Sequence, residues 1–83
     1  MYQIVILKRA KKFIDKLSVN DKKRIVEAIE KLPEEGDIKK MRGHDRYYRL
    51  RVGDFRIIYT VDNGKLMICV VDAGNRGQIY RNY

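Results

Sequence analysis

Residues 47–61 read YYRLRVGDFRIIYTV and contain two runs of alternating side chains around a central Gly-Asp pair. Because successive side chains of a strand point to opposite faces, this alternation predicts a β-hairpin with a two-residue turn. In that register Arg51 lies directly across from Arg56, and Arg49 shares their face. The apolar side chains of the hairpin take the opposite face, which is expected to face the core.

The basic face of this hairpin has two possible explanations. Two like charges directly opposed across a sheet lower stability, so the opposed Arg51 and Arg56 are expected to have a function. The planar fork of arginine matches phosphate oxygens two at a time, which favours a multiply charged anion as ligand. The alternative is a basic face exposed to solvent, since such faces are common.

Length and charge restrict the class of protein. The chain has 83 residues, which predicts a single domain spanning 1–83 with a small core. Lysine and arginine together number 19 against 11 acidic residues, a formal net charge of +8. This excess predicts a polyanionic partner, either nucleic acid or an acidic protein.

The compartment is predicted from what the chain lacks. Cys69 is the only cysteine, so no internal disulfide can form, which suits a reducing environment. The sequence contains no apolar run near the roughly 20 residues of a membrane span and no signal peptide pattern. We therefore expect a cytoplasmic protein without membrane contacts.

The segments before the hairpin predict one strand and two helices. Residues 2–7, YQIVIL, are a β-branched run typical of a strand. Residues 10–17 then place apolar side chains at the spacing of an amphipathic helix. Ser18 begins an S-x-x-D capping box for a second helix that ends before Pro33. The polar residues 33–46 are expected to form a connection without regular structure.

The segments after the hairpin predict one more strand and a loop. Asn63-Gly64 indicates a two-residue type I′ turn into a strand at 65–73, which would place Val71 across from Arg56. Residues 74–83 are expected to form a glycine-containing loop. The predicted fold is α+β, in the order β-α-α-β-β-β, with an antiparallel-rich four-stranded sheet and the helical hairpin packed on one face. The last strand is apolar on both faces and is expected inside the sheet.

The available chemistry is narrow. With one histidine, one cysteine and no carboxylate cluster, a metal site is not expected, and nothing predicts a small-molecule cofactor. Arginine and tyrosine remain, and these can cleave RNA without a metal because the ribose 2′-hydroxyl is an internal nucleophile. Arginines would stabilise the charge on the phosphate, and a tyrosine could take the proton.

Two segments carry a family resemblance, namely residues 48–59 (YRLRVGDFRIIY) and 74–81 (GNRGQIYR). Together with the element order, they resemble the RelE/ParE toxin superfamily over essentially the whole chain, and the RelE branch in particular. RelE-like toxins of type II toxin-antitoxin systems are metal-independent, ribosome-dependent endoribonucleases that cut messenger RNA in the ribosomal A site. The resemblance therefore implies messenger RNA and the ribosome as partners, and a cognate RelB-like antitoxin that neutralises the toxin.

The resemblance also implies a catalytic set of arginines and one tyrosine: Arg49, Arg51, Arg56, Arg76 and Tyr80. In this set Arg56 and Arg76 hold the scissile phosphate, while Arg49 and Arg51 hold phosphate or help to protonate the leaving oxygen. Tyr80 acts as general base, with Tyr83 as an alternative base. Many relatives have histidine where this chain has Asn75. Any contribution of that imidazole is missing here, so a weak or absent nuclease activity is an alternative.

Further RNA contacts are expected outside this catalytic set. Tyr47 would stack on a nucleobase, because aromatic faces accept any base. Basic side chains of the two helices and of the C-terminal segment would contact RNA backbone, in addition to Arg49 and Arg51: Lys11, Lys12, Lys16, Lys22, Lys23 and Arg81. The alternative for the helix lysines is a face that contacts only solvent.

Two other functions are compatible with the same fold. One is a ParE-like inhibitor of DNA gyrase, a branch that generally lacks the arginine-to-tyrosine nuclease set, so Tyr80 discriminates against it. The other is a catalytically weak homologue that acts with its antitoxin as a repressor complex. Asn75 keeps this second alternative open.

Overall fold

The structure is a computed structural model and describes residues 2–43 and 46–75. The described chain forms two helices and five strands, in the order β1 (Gln3–Ile6), α1 (Lys8–Asp15), α2 (Val19–Glu30), β2 (Asp37–Lys40), β3 (Tyr48–Val52), β4 (Phe55–Asp62) and β5 (Met67–Asn75). Neither helix is long and apolar enough to cross a membrane.

The strands form one mixed sheet in the order β1-β5-β4-β3-β2. β1 runs parallel to β5, and the other neighbouring pairs are antiparallel. The α+β class is confirmed, and β5 lies inside the sheet as expected. The predicted count of four strands is wrong, because β2 forms within the segment that was expected to be an irregular connection.

β2 has no recognisable strand pattern in the sequence because it is a short, charged edge strand. Its residues are DIKK, and only Ile38 is partly buried. Charged side chains are typical of edge strands, where they discourage pairing with another chain. The strand exists because it pairs with β3 over four residues, which is a long-range interaction.

The helical hairpin packs on one face of the sheet. Ser18 caps α2, and its hydroxyl accepts a hydrogen bond from the Asp21 amide at 3.2 Å, so the predicted cap is confirmed. The apolar faces of both helices meet the apolar side chains of the strands in one core: Ala10, Ile14, Ile25, Ile29, Leu50, Ile57, Tyr59, Ile68 and Val70. The sheet therefore has one face covered by helices and a second face on which the arginines lie.

The predicted register of the first hairpin is confirmed. Val52 pairs with Phe55, and Arg51 pairs with Arg56, so Gly53 and Asp54 form the two-residue turn. Gly53 has a φ of 58°, which is in the left-handed region that favours glycine.

The predicted register of the second hairpin is wrong. Asp62 pairs with Met67, so the loop contains residues 63–66 instead of a two-residue turn. Two hydrogen bonds explain the longer loop. The Asp62 carboxylate accepts from the Lys65 amide at 3.0 Å, and the Gln3 amide of β1 donates to the Leu66 carbonyl at 2.8 Å.

A β-bulge then shifts the rest of β5. Tyr59 pairs with Val70 but Ile58 pairs with Asp72, so Val71 is the extra residue. Arg56 consequently lies across from Gly74 and not from Val71.

Candidate nucleic-acid interface

Three arginines from two neighbouring strands share the sheet face opposite the helices. Arg49 and Arg51 lie on β3, and Arg56 lies on β4 directly across from Arg51. We call the surface formed by these three side chains the arginine face. Asp37 and Lys39 of β2 adjoin it, because they pair with Arg51 and Arg49 respectively.

Arg56 is held against the hairpin turn. Only 8% of the residue is exposed, and its Nη1 donates to the carbonyl oxygens of Gly53 at 3.3 Å and of Phe55 at 3.2 Å. On the other side of β4 its partner is Gly74, which has no side chain. The two carbonyl oxygens therefore fix one nitrogen of the guanidinium.

Arg49 is bound by a carboxylate. Its Nη2 donates to Oδ1 of Asp37 at 3.0 Å, and its side chain is 20% exposed while that of Asp37 is 59% exposed. Its Nε is buried and has no hydrogen-bond partner among the described residues. Arg51, between Arg49 and the turn, is exposed to solvent.

The centre of the same face is buried. Ile58 is completely buried and Asp72 is only 4% exposed. The Asp72 carboxylate accepts from the Ala73 amide at 2.9 Å and pairs with Nε of Arg9 at 3.4 Å. Sequence reasoning missed Asp72 because only the bulge in β5 brings it onto this face.

Tyr47 lines a groove at the other end of this face. The groove has a volume of about 570 Å³, and its walls include Leu7, Thr60, Asp62 and Val71. Tyr47 is half-buried, and its carbonyl oxygen accepts from the Met41 amide at 3.0 Å. The predicted stacking residue therefore borders a concave site on the same side of the sheet as the arginines.

Two other tyrosines lie on the helix side of the sheet. Tyr48 and Tyr59 stack with ring centroids 5.6 Å apart. Tyr59 is buried, whereas Tyr48 is half-buried. Burial, and to a smaller extent the neighbouring Tyr48, raises the pKa of Tyr59 to about 12. Tyr59 therefore stays protonated near neutral pH and is no candidate for a general base.

The helix lysines fall into two groups. Lys11 and Lys22 both bind the carboxylate of Asp15, at 2.6 Å and 2.9 Å, and these bonds hold the pKa of Asp15 below its usual value. Lys12, Lys16 and Lys23 are exposed, and no carboxylate within residues 2–43 and 46–75 forms an ion pair with them. The second group is the one available to a polyanion.

Part of the predicted site lies outside the described residues, namely Arg76, Tyr80, Arg81 and Tyr83. The described chain ends at Asn75, which is exposed and pairs with Phe55. This is the end of the sheet that carries Arg56 and the hairpin turn. Over the described ranges, no three histidine, cysteine, aspartate or glutamate side chains are grouped so that they could hold a metal ion.

The described chain is thus a small domain with a helical hairpin on one face of a mixed sheet and arginines on the other. Residues 4–80 match a family model described as "ParE toxin of type II toxin-antitoxin system, parDE". The chain therefore belongs to the family of ParE toxins of type II toxin-antitoxin systems, and the predicted membership of the RelE/ParE superfamily is confirmed.

Individual relatives carry the name RelE. A protein of Methanocaldococcus jannaschii named "Putative toxin RelE1" is 32% identical over 87 residues, which cover 98% of this chain and 97% of that protein. The archaeal RelE-RelB complex from Pyrococcus horikoshii contains a chain that is 29% identical, with a TM-score of 0.77 and coverage of 93% of this chain and 97% of that chain. The RelB-RelE antitoxin-toxin complex from Methanococcus jannaschii gives 29% identity and a TM-score of 0.76, with coverage of 95% and 98%.

Proposed function

We propose that this toxin is a metal-independent, ribosome-dependent endoribonuclease that cleaves messenger RNA in the ribosomal A site and is neutralised by a RelB-like antitoxin. The observation that carries the proposal is the arginine face, where Arg51 and Arg56 are directly opposed and Arg49 lies beside them. Such a cluster is suited to a phosphate whose charge increases in the transition state.

Arg56 is the proposed principal ligand of the scissile phosphate. Its Nη1 already donates to the carbonyl oxygens of Gly53 in the hairpin turn and of Phe55 in β4, so the guanidinium is oriented before the substrate binds. An oriented donor needs little reorganisation at the moment of reaction, which is the basis of electrostatic catalysis. Arg51 and Arg49 would bind the remaining phosphate oxygens, and in the family's pattern Arg76 would join them.

Tyr80 is the proposed general base, and it would take the proton of the ribose 2′-hydroxyl that attacks the phosphorus. An unperturbed tyrosine has a pKa of about 10, but neighbouring guanidinium groups favour its phenolate. The described chain ends beside Phe55 and Arg56, which is the end of the sheet where such a residue is needed. Tyr83 is the alternative base.

The ribosome would supply the second half of the binding site. The net charge of +8 favours association with RNA, and the exposed Lys12, Lys16 and Lys23 are suited to the ribosomal RNA backbone. A protein that works on ribosomes acts in the cytoplasm, which is the location we propose.

The proposed protein partner is a RelB-like antitoxin. The similar chains from Pyrococcus horikoshii and Methanococcus jannaschii were both solved in complex with RelB. A positively charged toxin attracts an acidic partner and associates with it faster.

Inhibition of DNA gyrase is the second candidate function. It is favoured by the family match, because the family is described by its ParE members. The arginine face would then bind an acidic surface or DNA, and no bond would be cleaved.

The deciding experiment is primer extension on messenger RNA in a translation reaction with purified ribosomes. The variants are Arg56→Ala, Tyr80→Phe and, as a matched control, Arg42→Ala. Arg42 is exposed and follows β2, at the end of the sheet opposite to Arg56. Wild type should cut in the A site only when ribosomes are present, and both site variants should lose about 100-fold or more in rate. The control should change by less than threefold.

Other outcomes would contradict the proposal. If no messenger RNA is cut and gyrase supercoiling stops instead, the gyrase function replaces the nuclease. If neither occurs but the toxin-antitoxin complex binds its operator, the protein acts as a repressor module.

A further inference from the structure

The carboxylate of Asp37 adjoins the arginine face at the edge of the sheet. Asp37 comes from β2, the strand that the sequence pattern did not predict, and it pairs across the sheet with Arg51. Its side chain does not bind Arg51 but reaches diagonally to Arg49, with Oδ1 at 3.0 Å from Nη2. The two side chains lie on neighbouring strands, so Asp37 is positioned by the edge of the sheet and not by a loop.

The bond to Asp37 is made at the nitrogen of Arg49 that a two-donor ligand must also use. Nε of Arg49 is buried, so an anion from solvent must approach the terminal nitrogens. Both two-donor edges of a guanidinium include Nη2, which has one N–H on each edge, and Asp37 accepts a hydrogen bond from this atom. A phosphate that binds Arg49 through two donors therefore lies next to the carboxylate of Asp37, and the two negative charges repel each other.

The same bond can be broken at low cost. The Asp37 side chain is 59% exposed, and an exposed ion pair is weak because water solvates both partners. Nothing among the described residues besides Arg49 holds this carboxylate in an ion pair. A ligand with more negative charge than one carboxylate can therefore displace it.

We propose that Asp37 is a specificity-determining residue that competes with phosphate for Arg49. By this competition it weakens the binding of free RNA to the arginine face. The inference rests on the proposed function in that the ligand is RNA. RNA that is also held by the ribosome overcomes the competition, whereas a free strand does not, so Asp37 reduces sequestration of the toxin on RNA outside the ribosome.

The test is the affinity of the purified toxin for a 5′-fluorescein RNA hexanucleotide that is 2′-O-methylated throughout and cannot be cleaved. Fluorescence anisotropy at about 50 mM salt would compare wild type with Asp37→Asn, which keeps the size of the side chain and removes its charge. Glu30→Gln is the matched control, because it removes one negative charge from an exposed position on α2. Asp37→Asn is expected to bind about fivefold more tightly, the effect of one charge at close range in water, and the control less than twofold.

A double variant ties the effect to Arg49. If the competition is direct, adding Asp37→Asn to Arg49→Ala should change the affinity by less than twofold. A gain that persists without Arg49, or one equalled by Glu30→Gln, would overturn the proposal in favour of a general charge effect. Absence of tighter binding by Asp37→Asn would also overturn it.

The result is separable from the nuclease assignment. A coupled gain in affinity together with no cleavage on ribosomes would retain the role of Asp37 and refute the nuclease. Cleavage on ribosomes without a gain in RNA affinity for Asp37→Asn would support the nuclease and refute the role of Asp37.

Discussion

Gly53 and Gly64 both lie in hairpin loops, but only one of them needs to be glycine. Gly53 has a φ of 58°, and a Cβ built there would lie 2.7 Å from Nη2 of Arg24. Gly64 is outside the left-handed region, and its nearest contact would be Oδ1 of Asp62 at 3.4 Å. From the sequence alone, Gly64 would be expected to need a glycine, because the Asn63-Gly64 pair is typical of a type I′ turn and such a turn has a positive φ at its glycine.

We therefore expect Gly53→Ala to lower the free energy of unfolding by about 1 to 2 kcal/mol, the usual cost of a left-handed conformation for a residue with a Cβ. Gly64→Ala should change it by less than about 0.5 kcal/mol, since neither φ nor contacts oppose a methyl group. Urea unfolding of both variants measures the difference. If Gly64→Ala lowered the free energy of unfolding more than Gly53→Ala, the second hairpin would have the two-residue turn.

The guanidinium of Arg24 is the flexible end of its side chain, so it can move away from a new methyl group. The double variant Arg24→Ala/Gly53→Ala should therefore recover only a small part of the lost stability. Full recovery would assign the loss to the contact with Arg24 and not to the backbone.

At the scale of elements, the two helices are joined by a charged bridge as well as by the core. Asp15 near the end of α1 binds Lys11 of its own helix and Lys22 of α2. The bond to Lys11, followed by the bond to Lys22, holds the pKa of Asp15 below its ordinary value of 3.8. A carboxyl with a lowered pKa in the folded state contributes stability above its unfolded pKa and loses it as the pH falls through the folded pKa.

Asp15→Asn should accordingly lower the urea midpoint at pH 7, and the difference from wild type should disappear well below pH 3.8. The difference should also decrease with added salt, because the bridge is exposed to solvent. Glu34→Gln is the control, since Glu34 is exposed and forms no ion pair with the described residues. A difference that is the same at every pH would attribute the effect to packing instead of charge.

For the whole molecule, the distribution of the +8 charge matters more than its total. The arginine face lies on one side of the sheet and the exposed helix lysines on the other, so RNA bound at the arginines does not reach all of the basic residues. Affinity falls with salt, and each phosphate contact to a single strand releases counterions and adds about 0.7 to the magnitude of the negative slope of log affinity against log salt.

Arg51→Gln should therefore reduce that slope by about 0.7 for the uncleavable RNA hexanucleotide, whereas Arg42→Gln should leave it unchanged. Anisotropy titrations between about 50 and 300 mM salt would measure both slopes. If both variants reduce the slope equally, RNA binding depends only on the net charge of the protein, and RNA does not bind preferentially at the arginine face.

Local patterns in the sequence were enough to predict the first hairpin and the start of α2. Alternation within residues 47–61 predicts which side chains share a face, because a strand has a period of two whatever it pairs with. It thus placed Arg49, Arg51 and Arg56 together, and the S-x-x-D pattern at Ser18 predicted the cap.

The remaining features depend on pairing between segments that are distant in the chain. β2 exists by pairing with β3, the 63–66 loop is held by Gln3 of β1, and the bulge at Val71 brings Asp72 and Gly74 onto the arginine face. The contact of Asp37 with Arg49 follows from the first of these pairings. By itself, the sequence determined the faces of the hairpin and the charge of the molecule, because side-chain alternation and charge are local properties. Only the tertiary structure decided which strands are neighbours and what stands beside each arginine, because long-range backbone hydrogen bonds determine these and leave no periodic pattern in a short segment.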